Sequence, residues 1–391
     1  MPYNFDRVPS RRNPARRNKW NYYPKDVLPM WVADMDFPAP KPILNALHRA
    51  VDHGVLGYEL PPRSLQETVT TRMERLYGWK VDPQAVIATT GVVSGFNLAA
   101  RILCTPQRGY LVQTPVYNEF HRIKENLGIR EYDAPLRESV KGDILDYEID
   151  WSIFEKQVKK AGMFLLCNPH NPVGKVFARK DLRGMAEVCI ANDVTIVSDE
   201  IHSELLLGEQ KFVPLANLSK EIAQHTITLI AASKAFNVPG LFCGFAIIPD
   251  LELRAKYVKV MEKLHIHVNS MGQFAAQAAF SGKCDAWLTE LRHYLTANRD
   301  LIVEYTREKL PDVRLTIPKA TYLAWVDCGE LVKSGRIQGS PHEFFLKEAK
   351  VAFSDGKIFG SDYADYVRLN FGCPRSTLMQ GLEKVRKSLY R

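Results

Sequence analysis

The sequence lacks the features that mark membrane, secreted or disulfide-framed proteins. No apolar run is long enough to cross a bilayer, and the N-terminus has no apolar core that would suit a signal peptide. The seven cysteines are scattered and include no C-x-x-C pair, which argues against a zinc or disulfide frame. We therefore expect a cytoplasmic protein whose cysteines are reduced and largely buried.

Several common ligand motifs are also absent. Neither G-x-G-x-x-G nor G-x-x-x-x-G-K-[ST] occurs, so the usual dinucleotide and P-loop sites lack support. His202, His265 and His267 do not form an H-E-x-x-H frame, and we expect no metal site.

Basic residues are in excess, and the formal net charge is +8. The densest basic group lies near the N-terminus and consists of Arg11, Arg12, Arg16, Arg17 and Lys19. A nucleic-acid site needs its basic residues gathered on one face or element. We favour the alternative interpretation, a solvated and partly extended arm, and expect neither a nucleic acid nor a membrane as partner.

The pattern of apolar residues indicates an α/β fold. The chain has 391 residues, more than a single core usually serves, so two domains are expected. From residue 85, apolar strands such as VTIVSDE and TITLIAAS alternate with helical patterns such as KDLRGMAEVCIAND. This alternation predicts a mainly parallel sheet. The run CGFAIIP follows a short link and is predicted to be an antiparallel member.

The pattern changes after about residue 285. A long helical stretch leads to RLTIP, TYLAWVDC and YVRLNF, which are typical of a smaller α+β domain. We expect the N-terminal arm to pack with it. The predicted division is a large domain at residues 50–286 and a small domain made of residues 1–49 and 287–391.

Polar clusters follow the predicted strands at their carboxyl ends. They are TTGVVSG, QTPVYNEF, CNPHNPVG, SDEIHSE and AASKAF. Ligands of open α/β sheets bind beyond the carboxyl ends of the strands, so these clusters mark the candidate site.

Three of these side chains could interact with a ligand that carries an aldehyde and a heteroaromatic ring. Desolvation at a strand end would lower the pKa of Lys234 and free its amine to react with an aldehyde, although a surface lysine fits the position as well. A buried Asp199 needs a partner, which a protonated pyridine nitrogen, an ion pair or a helix cap would supply. Asn171 can bond a ring oxygen from its Pro- and Gly-shaped turn, or simply favour that turn.

Two further features suit anions. The helix in GVVSGFNLAARIL begins directly after a strand, and its free N–H groups at Val92, Val93 and Ser94 suit a phosphate, as any helix start does. Arg368, inside the predicted strand YVRLNF, could bind a substrate carboxylate with its planar fork or form an internal salt bridge.

Together these pieces resemble fold type I pyridoxal-5′-phosphate (PLP) enzymes of the aminotransferase class I/II family, which have the aspartate-aminotransferase fold. The resemblance rests on the order of a Gly-led helix, TPVY, NPHNPVG, SDE, SK and a late Arg. The opening KWNYYPKDVLPMWVADMDFPAP, with SDEIHSEL and VRLNFGCPR, is similar to the MalY/PatB branch. Members of that branch are mostly cystathionine β-lyases and related C–S lyases.

The resemblance implies a role for each candidate residue. Lys234 would be catalytic and would bind PLP through an imine. Asp199 would pair with the pyridine nitrogen, and Arg368 would bind the substrate α-carboxylate. The other cofactor-binding residues would be Val92, Val93, Tyr117, Asn171, His202, Ser233 and, reaching from the neighbouring subunit of a homodimer, Tyr58. Ala33, Asp34 and Asn171 would lie at the substrate.

The reaction implied is cleavage of cystathionine or another S-substituted cysteine to a thiol, pyruvate and ammonia. An aminotransferase, or another PLP enzyme of a biosynthetic pathway, would use the same residues and stays an alternative, as does a non-catalytic PLP-fold regulator. Three positions depart from common patterns. Phe242 replaces an Arg of many aminotransferases, His202 replaces a Tyr, and Ser94-Gly95 stands where the branch often has Pro.

Overall fold

The fold is an α/β arrangement with two main sheets, seen in a computed structural model that describes residues 3–13 and 15–390. The helices are α1 (Lys19–Tyr22), α2 (Lys41–His53), α3 (Arg63–Tyr77), α4 (Val92–Leu103), α5 (Asn118–Leu127), α6 (Trp151–Val158), α7 (Arg179–Ala191), α8 (Lys220–Gln224), α9 (Leu251–Lys263), α10 (Ser270–Phe280), α11 (Asp285–Lys309), α12 (Gly329–Lys333), α13 (Pro341–Phe344) and α14 (Arg375–Leu389). The strands are β1 (Leu28–Pro29), β2 (Val86–Thr89), β3 (Gly109–Val112), β4 (Glu131–Asp133), β5 (Arg137–Lys141), β6 (Ile144–Glu148), β7 (Ala161–Cys167), β8 (Thr195–Asp199), β9 (Thr226–Ile230), β10 (Gly244–Ile247), β11 (Arg314–Thr316), β12 (Leu323–Asp327), β13 (Val351–Ala352), β14 (Ser354–Asp355) and β15 (Tyr366–Asn370).

The larger sheet has the strand order β2-β10-β9-β8-β7-β3-β4 among the described residues. Strands β4, β3, β7, β8 and β9 run parallel, as predicted. Adjacent residues of β3 pack in different apolar clusters, Leu111 in one and Tyr110 in the other. Both faces of the sheet are therefore covered, which explains why the strands are apolar throughout. Strand β10 is antiparallel to β2 and β9, and this prediction is also confirmed.

The second sheet has the order β14-β15-β12-β11-β6-β5. It contains the three predicted C-terminal strands and the hairpin of β5 and β6, which joins it through β11. The hairpin thus shares a sheet with the C-terminal part although it belongs to the predicted large domain, and the division at residues 49/50 and 286/287 stays a prediction. The N-terminal arm pairs with the C-terminal part through β1 and β13, as expected.

The interpretation of the basic N-terminal group as a solvated arm is wrong for three of its members. Lys19 is only 5% exposed, and both Lys19 and Arg11 form ion pairs with Asp34 and Asp36. Arg12 donates hydrogen bonds to backbone carbonyls of the arm. The physical reason is that the carboxylates of Asp34 and Asp36 compensate these charges and allow the arm to pack against the fold.

The cysteines agree with the expectation of a reduced protein. All seven are free, and all except Cys104 are buried. None of the helices in the described residues combines the length and the apolar character that a membrane crossing requires.

Candidate active site

The loops after the strands of the larger sheet enclose a cleft of about 390 Å³. Register brings their polar residues to one edge, because Cys167 at the end of β7 lies opposite Asp199 at the end of β8. The predicted site residues that line the cleft are Ala33, Val92, Val93, Tyr117, Asn171, Asp199, His202, Ser233 and Lys234. The structure therefore brings together residues that span 201 positions of the sequence, from Ala33 to Lys234.

Three predicted site residues are not part of the cleft wall. Tyr58 is fully exposed in the segment between α2 and α3. The carboxylate of Asp34 forms ion pairs with Arg11 at 2.7 Å and Lys19 at 2.9 Å, so it serves the N-terminal arm. Arg368 is buried beside the cleft, where its Nη1 donates to Asn171 Oδ1 at 3.0 Å.

Lys234 follows β9 and reaches into the cleft. Its Nζ donates to the carbonyl oxygen of Ala33 at 2.8 Å, and the hydroxyl of Tyr322 donates to the same oxygen at 2.8 Å. Burial lowers the pKa of Lys234 to about 8, and the positive charge of Arg368 acts in the same direction. The alternative of a surface lysine is therefore wrong, and a substantial share of this amine is neutral near pH 8.

Asp199, at the end of β8, is a buried carboxylate that lines the cleft. It is 4% exposed, and its Oδ1 accepts a hydrogen bond from the Ile201 N–H at 3.1 Å. Burial raises the pKa of Asp199 to about 7. The neighbouring Glu200 is a core residue instead, because its Oε1 accepts from Ser198 Oγ and the Leu215 N–H at 3.0 Å each. Asp199 is thus a buried carboxylate in need of a cation.

The start of α4 forms one end of the cleft. Gly91 precedes it with φ 136°, a conformation that favours glycine. The N–H groups of Val92, Val93 and Ser94 have no acceptor within the helix, so they can donate to an anion. The side chain of Phe242 lines the same cleft and contributes no positive charge.

The Ser94-Gly95 departure has two structural consequences. Ser94 lines the cleft, and its Oγ accepts from Thr90 Oγ1 at 2.8 Å. Gly95 faces β9, where an added Cβ would lie 2.8 Å from Leu229 Cδ2. The small residue therefore allows α4 to approach the sheet closely.

Arg368 lies in β15 and is 5% exposed. Its guanidinium donates to Asn171 Oδ1 at 3.0 Å, to the Trp31 carbonyl at 3.0 Å and to Ser354 Oγ at 3.1 Å. All three acceptors are neutral, and burial lowers the pKa of Arg368 to about 10. The alternative of an internal salt bridge is wrong within the described residues, and the buried cation suits an incoming anion.

Two more side chains of the cleft are uncharged. His202 is 3% exposed, its Nδ1 has no hydrogen-bond partner, and burial holds its pKa well below the usual value. Burial also raises the pKa of Tyr117 to about 12. Both rings are therefore neutral at physiological pH and are suited to contact with a ring or a hydrogen-bonding ligand.

Three residues that contact the site residues through hydrogen bonds were not predicted from the sequence. Tyr322 donates to the Ala33 carbonyl, and Arg368 donates to the Trp31 carbonyl and to Ser354 Oγ. The pattern of TYLAWVDC predicts only that Tyr322 belongs to a strand, and no pattern in the sequence predicts a role for Trp31 or Ser354. Tyr322 is 289 positions from Ala33, which it contacts, so no local spacing could reveal the pairing. The polar ends of QTPVYNEF did contain a signal for Glu119, which lines the cleft.

Comparison with known proteins identifies the family. The model of the family described as aminotransferase class I and II matches residues 25–385. The chain belongs to this family. This aminotransferase-family protein is 36% identical over 366 residues to a protein named cystathionine beta-lyase PatB from Bacillus subtilis, with 93% of each chain covered. The resemblance to the MalY/PatB branch is thereby confirmed.

Solved structures give the same fold. A PLP-bound putative aminotransferase from Clostridium difficile superimposes with a TM-score of 0.93 at 31% identity, covering 99% of this chain and 100% of that one. A PLP-bound C-S lyase from Staphylococcus hominis superimposes with a TM-score of 0.91 at 29% identity, covering 100% of this chain and 98% of that one. The predicted aspartate-aminotransferase-like fold is confirmed.

The groups in the cleft fit PLP chemically. The free N–H groups of α4 and the hydroxyl of Ser233 suit the phosphate, and the buried carboxylate of Asp199 suits a pyridinium nitrogen. The amine of Lys234 suits the aldehyde.

Proposed function

We propose that the protein is a PLP-dependent carbon–sulfur β-lyase that converts cystathionine or a related S-substituted cysteine to a thiol, pyruvate and ammonia. One observation carries the proposal. Lys234, Asp199 and Arg368 are gathered at or beside one cleft, and none of them makes an ion pair within the described residues. A cofactor with a basic ring nitrogen and an amino acid with a carboxylate would supply the missing charges. The lyase name of the relative in the MalY/PatB branch supports the choice of reaction.

The chain's own residues would hold the cofactor from several sides. The N–H groups of Val92 and Val93 and the hydroxyl of Ser233 would bind the phosphate. Asn171 would bond the ring oxygen. Tyr117 would lie against the ring face, with His202 nearby as a neutral contact. Bound there, PLP supplies an aldehyde for amine exchange and a ring that accepts electrons from the substrate Cα.

A single proton would then move twice, both times through Lys234. The neutral amine of Lys234, held by the carbonyl of Ala33, would accept the Cα proton. Asp199 would keep a proton on the ring nitrogen, and Arg368 would bind the α-carboxylate in two-point fashion. The C–S bond breaks with its electron pair on sulfur, and the ammonium of Lys234 returns its proton to the thiolate. One water is consumed in forming pyruvate and ammonia.

An aminotransferase is the second candidate. It needs the same groups up to removal of the Cα proton, and a solved structure named as a putative aminotransferase has a TM-score of 0.93. The two differ in the fate of the amino nitrogen, which a lyase releases as ammonia and an aminotransferase passes to a keto acid.

We also propose that the protein forms a homodimer in which each active site contains residues of both subunits, and that it is located in the cytoplasm. The segment around Tyr58 exposes Val55, Leu56 and Leu60 to 66%, 64% and 81%, and such an apolar stretch suits a protein interface. Through it, Tyr58 would reach the phosphate site of the second subunit. The free, buried cysteines support a reducing compartment.

The test uses purified protein and matched variants. Borohydride should trap PLP on the wild type and on Lys180→Ala, an exposed control, and should trap none on Lys234→Ala. With cystathionine the wild type should release pyruvate and thiol in equal amounts. Amino-group transfer to an added keto acid without thiol release would instead establish the aminotransferase.

A further inference from the structure

One segment connects the two sides of the candidate active site. We call residues 31–37 the strap, since they run from Arg368 to the loop that follows Lys234. Arg368 donates to the carbonyl of Trp31, and Lys234 and Tyr322 both donate to the carbonyl of Ala33. The side-chain amides of Asn370 and Asn237 donate to four more carbonyls of the strap, those of Val32, Asp34, Met35 and Phe37. The position of the Ala33 oxygen therefore depends on the whole strap.

A buried lysine holds the strap from its far side. The side chain of Lys19 is 2% exposed, and its Nζ lies 2.9 Å from Asp34 Oδ1 and 3.1 Å from Asp36 Oδ1. The same Nζ donates to the backbone carbonyl of Asp34 at 3.0 Å. Arg11 forms a second, more exposed bridge to both carboxylates. A lysine is rarely buried this fully unless it is paired, so these contacts fix it in place.

We propose that Lys19 is a positioning residue for the reaction at Lys234. Through the carboxylates of the strap it fixes the Ala33 carbonyl that accepts from the catalytic amine, and it offsets the negative charge of Asp34 that acts on this amine from behind the strap. The inference rests on the proposed function, because it assumes that Lys234 works as a base in its neutral form.

The charges around the amine give the sign of the effect. Burial lowers the pKa of Lys234, Arg368 adds to the lowering, and Asp34 and Asp199 oppose it; the neutral His202 also faces the amine. Burial works to raise the pKa of Asp34, but Lys19 and Arg11 outweigh it. Loss of Lys19 would leave more of the Asp34 charge acting on the amine and would raise the pKa of Lys234.

The test measures this amine directly. In full-length protein stripped of PLP, the rate at which acetic anhydride labels Lys234 is followed by mass spectrometry from pH 6 to 10. Lys19→Met should shift the midpoint upward by about 0.5–1 pH unit and lower kcat/KM at pH 7 by about threefold to tenfold, since one pKa unit is a tenfold change in the neutral fraction. Lys25→Met, an exposed position of the same arm, should change neither.

Two further variants separate charge from mere loss of structure. Asp34→Asn in the Lys19→Met background should return the midpoint toward the wild-type value, which a structural defect would not allow. If Lys19→Met does not fold, Arg11→Gln should give a smaller shift of the same sign, because Arg11 is more exposed than Lys19 and its charge is screened more by solvent.

An unchanged midpoint in the folded variants would overturn the proposal, as would a midpoint that Asp34→Asn fails to restore. The labelling needs no catalysis. A protein that shows the shifts but releases no pyruvate would therefore refute the lyase and keep the effect of Lys19 on the amine.

Discussion

Replacing Asp199 by Asn should stabilise the cofactor-free protein while it destroys the catalyst. Burial raises the pKa of Asp199 to about 7 from an ordinary value of 3.8. A carboxyl with a raised folded-state pKa contributes stability when it is protonated, and that contribution is lost as the pH rises through about 4 to 7. At pH 8 the wild type carries the full cost of a buried charge, which Asp199→Asn removes while keeping an oxygen for the Ile201 N–H.

The magnitude follows from the shift. About three pH units at about 1.4 kcal/mol each give a gain of at most about 4 kcal/mol at pH 8. Unfolding entropy scales to about 0.8 kcal/mol per degree for a chain of 391 residues, so the thermal midpoint should rise by up to about 5 °C. At pH 5 the gain should shrink to about a third of that value, because most of Asp199 is already protonated there.

The assay is thermal unfolding from pH 5 to 8.5, with and without PLP. Asp193→Asn is the matched control, since the side chain of Asp193 is 96% exposed and should show no such trend. Added PLP should raise the midpoint of the wild type much more than that of Asp199→Asn. A stability difference that does not change with pH, or a variant that is less stable at pH 8, would refute the reasoning.

Three further predictions follow from the site. Arg368→Lys should lower kcat/KM by about 100-fold, about 2.7 kcal/mol, because an ammonium cannot grip a carboxylate at two points; unchanged kinetics with several amino acids would contradict this. Gly95→Ala should cost about 1–3 kcal/mol in urea unfolding, because its Cβ would lie 2.8 Å from Leu229 Cδ2, and an unaffected midpoint would show that α4 can shift. Mixing inactive Tyr58→Ala and Lys234→Ala subunits should restore pyruvate release, since a mixed dimer has one site without either defect; no recovery after verified subunit exchange would argue against shared sites.

Candidate residues that directly follow a strand could be predicted from the sequence alone. Lys234, Asp199 and Asn171 each follow an apolar run, and parallel strands carry such residues to one edge whatever the details of packing. The same logic placed Val92 and Val93, because a helix that begins after a strand presents its free N–H groups there. These positions depend on local pattern and on one rule of topology.

Residues whose role depends on partners far away in the sequence could not be predicted. Lys19 looked like a solvated lysine because its partners, Asp34 and Asp36, lie 15 and more positions away on a segment without regular structure. Tyr322 contacts Ala33 across 289 positions, and its strand pattern predicts only burial. Its neighbour Ala33 lines the cleft, but the carboxylate of Asp34 turns to Arg11 and Lys19, and no local pattern predicts that direction.

The close packing of α4 against β9 at Gly95 limits the length of the cofactors that the cleft can bind. The start of α4 carries the anion-binding N–H groups, and β9 leads directly to Lys234. Because the two elements are packed tightly at Gly95, the distance between the anion-binding N–H groups and the Lys234 amine is fixed. A vitamin B6 analogue with one extra carbon between ring and phosphate would be too long for this distance. It would fit only a protein in which α4 and β9 could move apart.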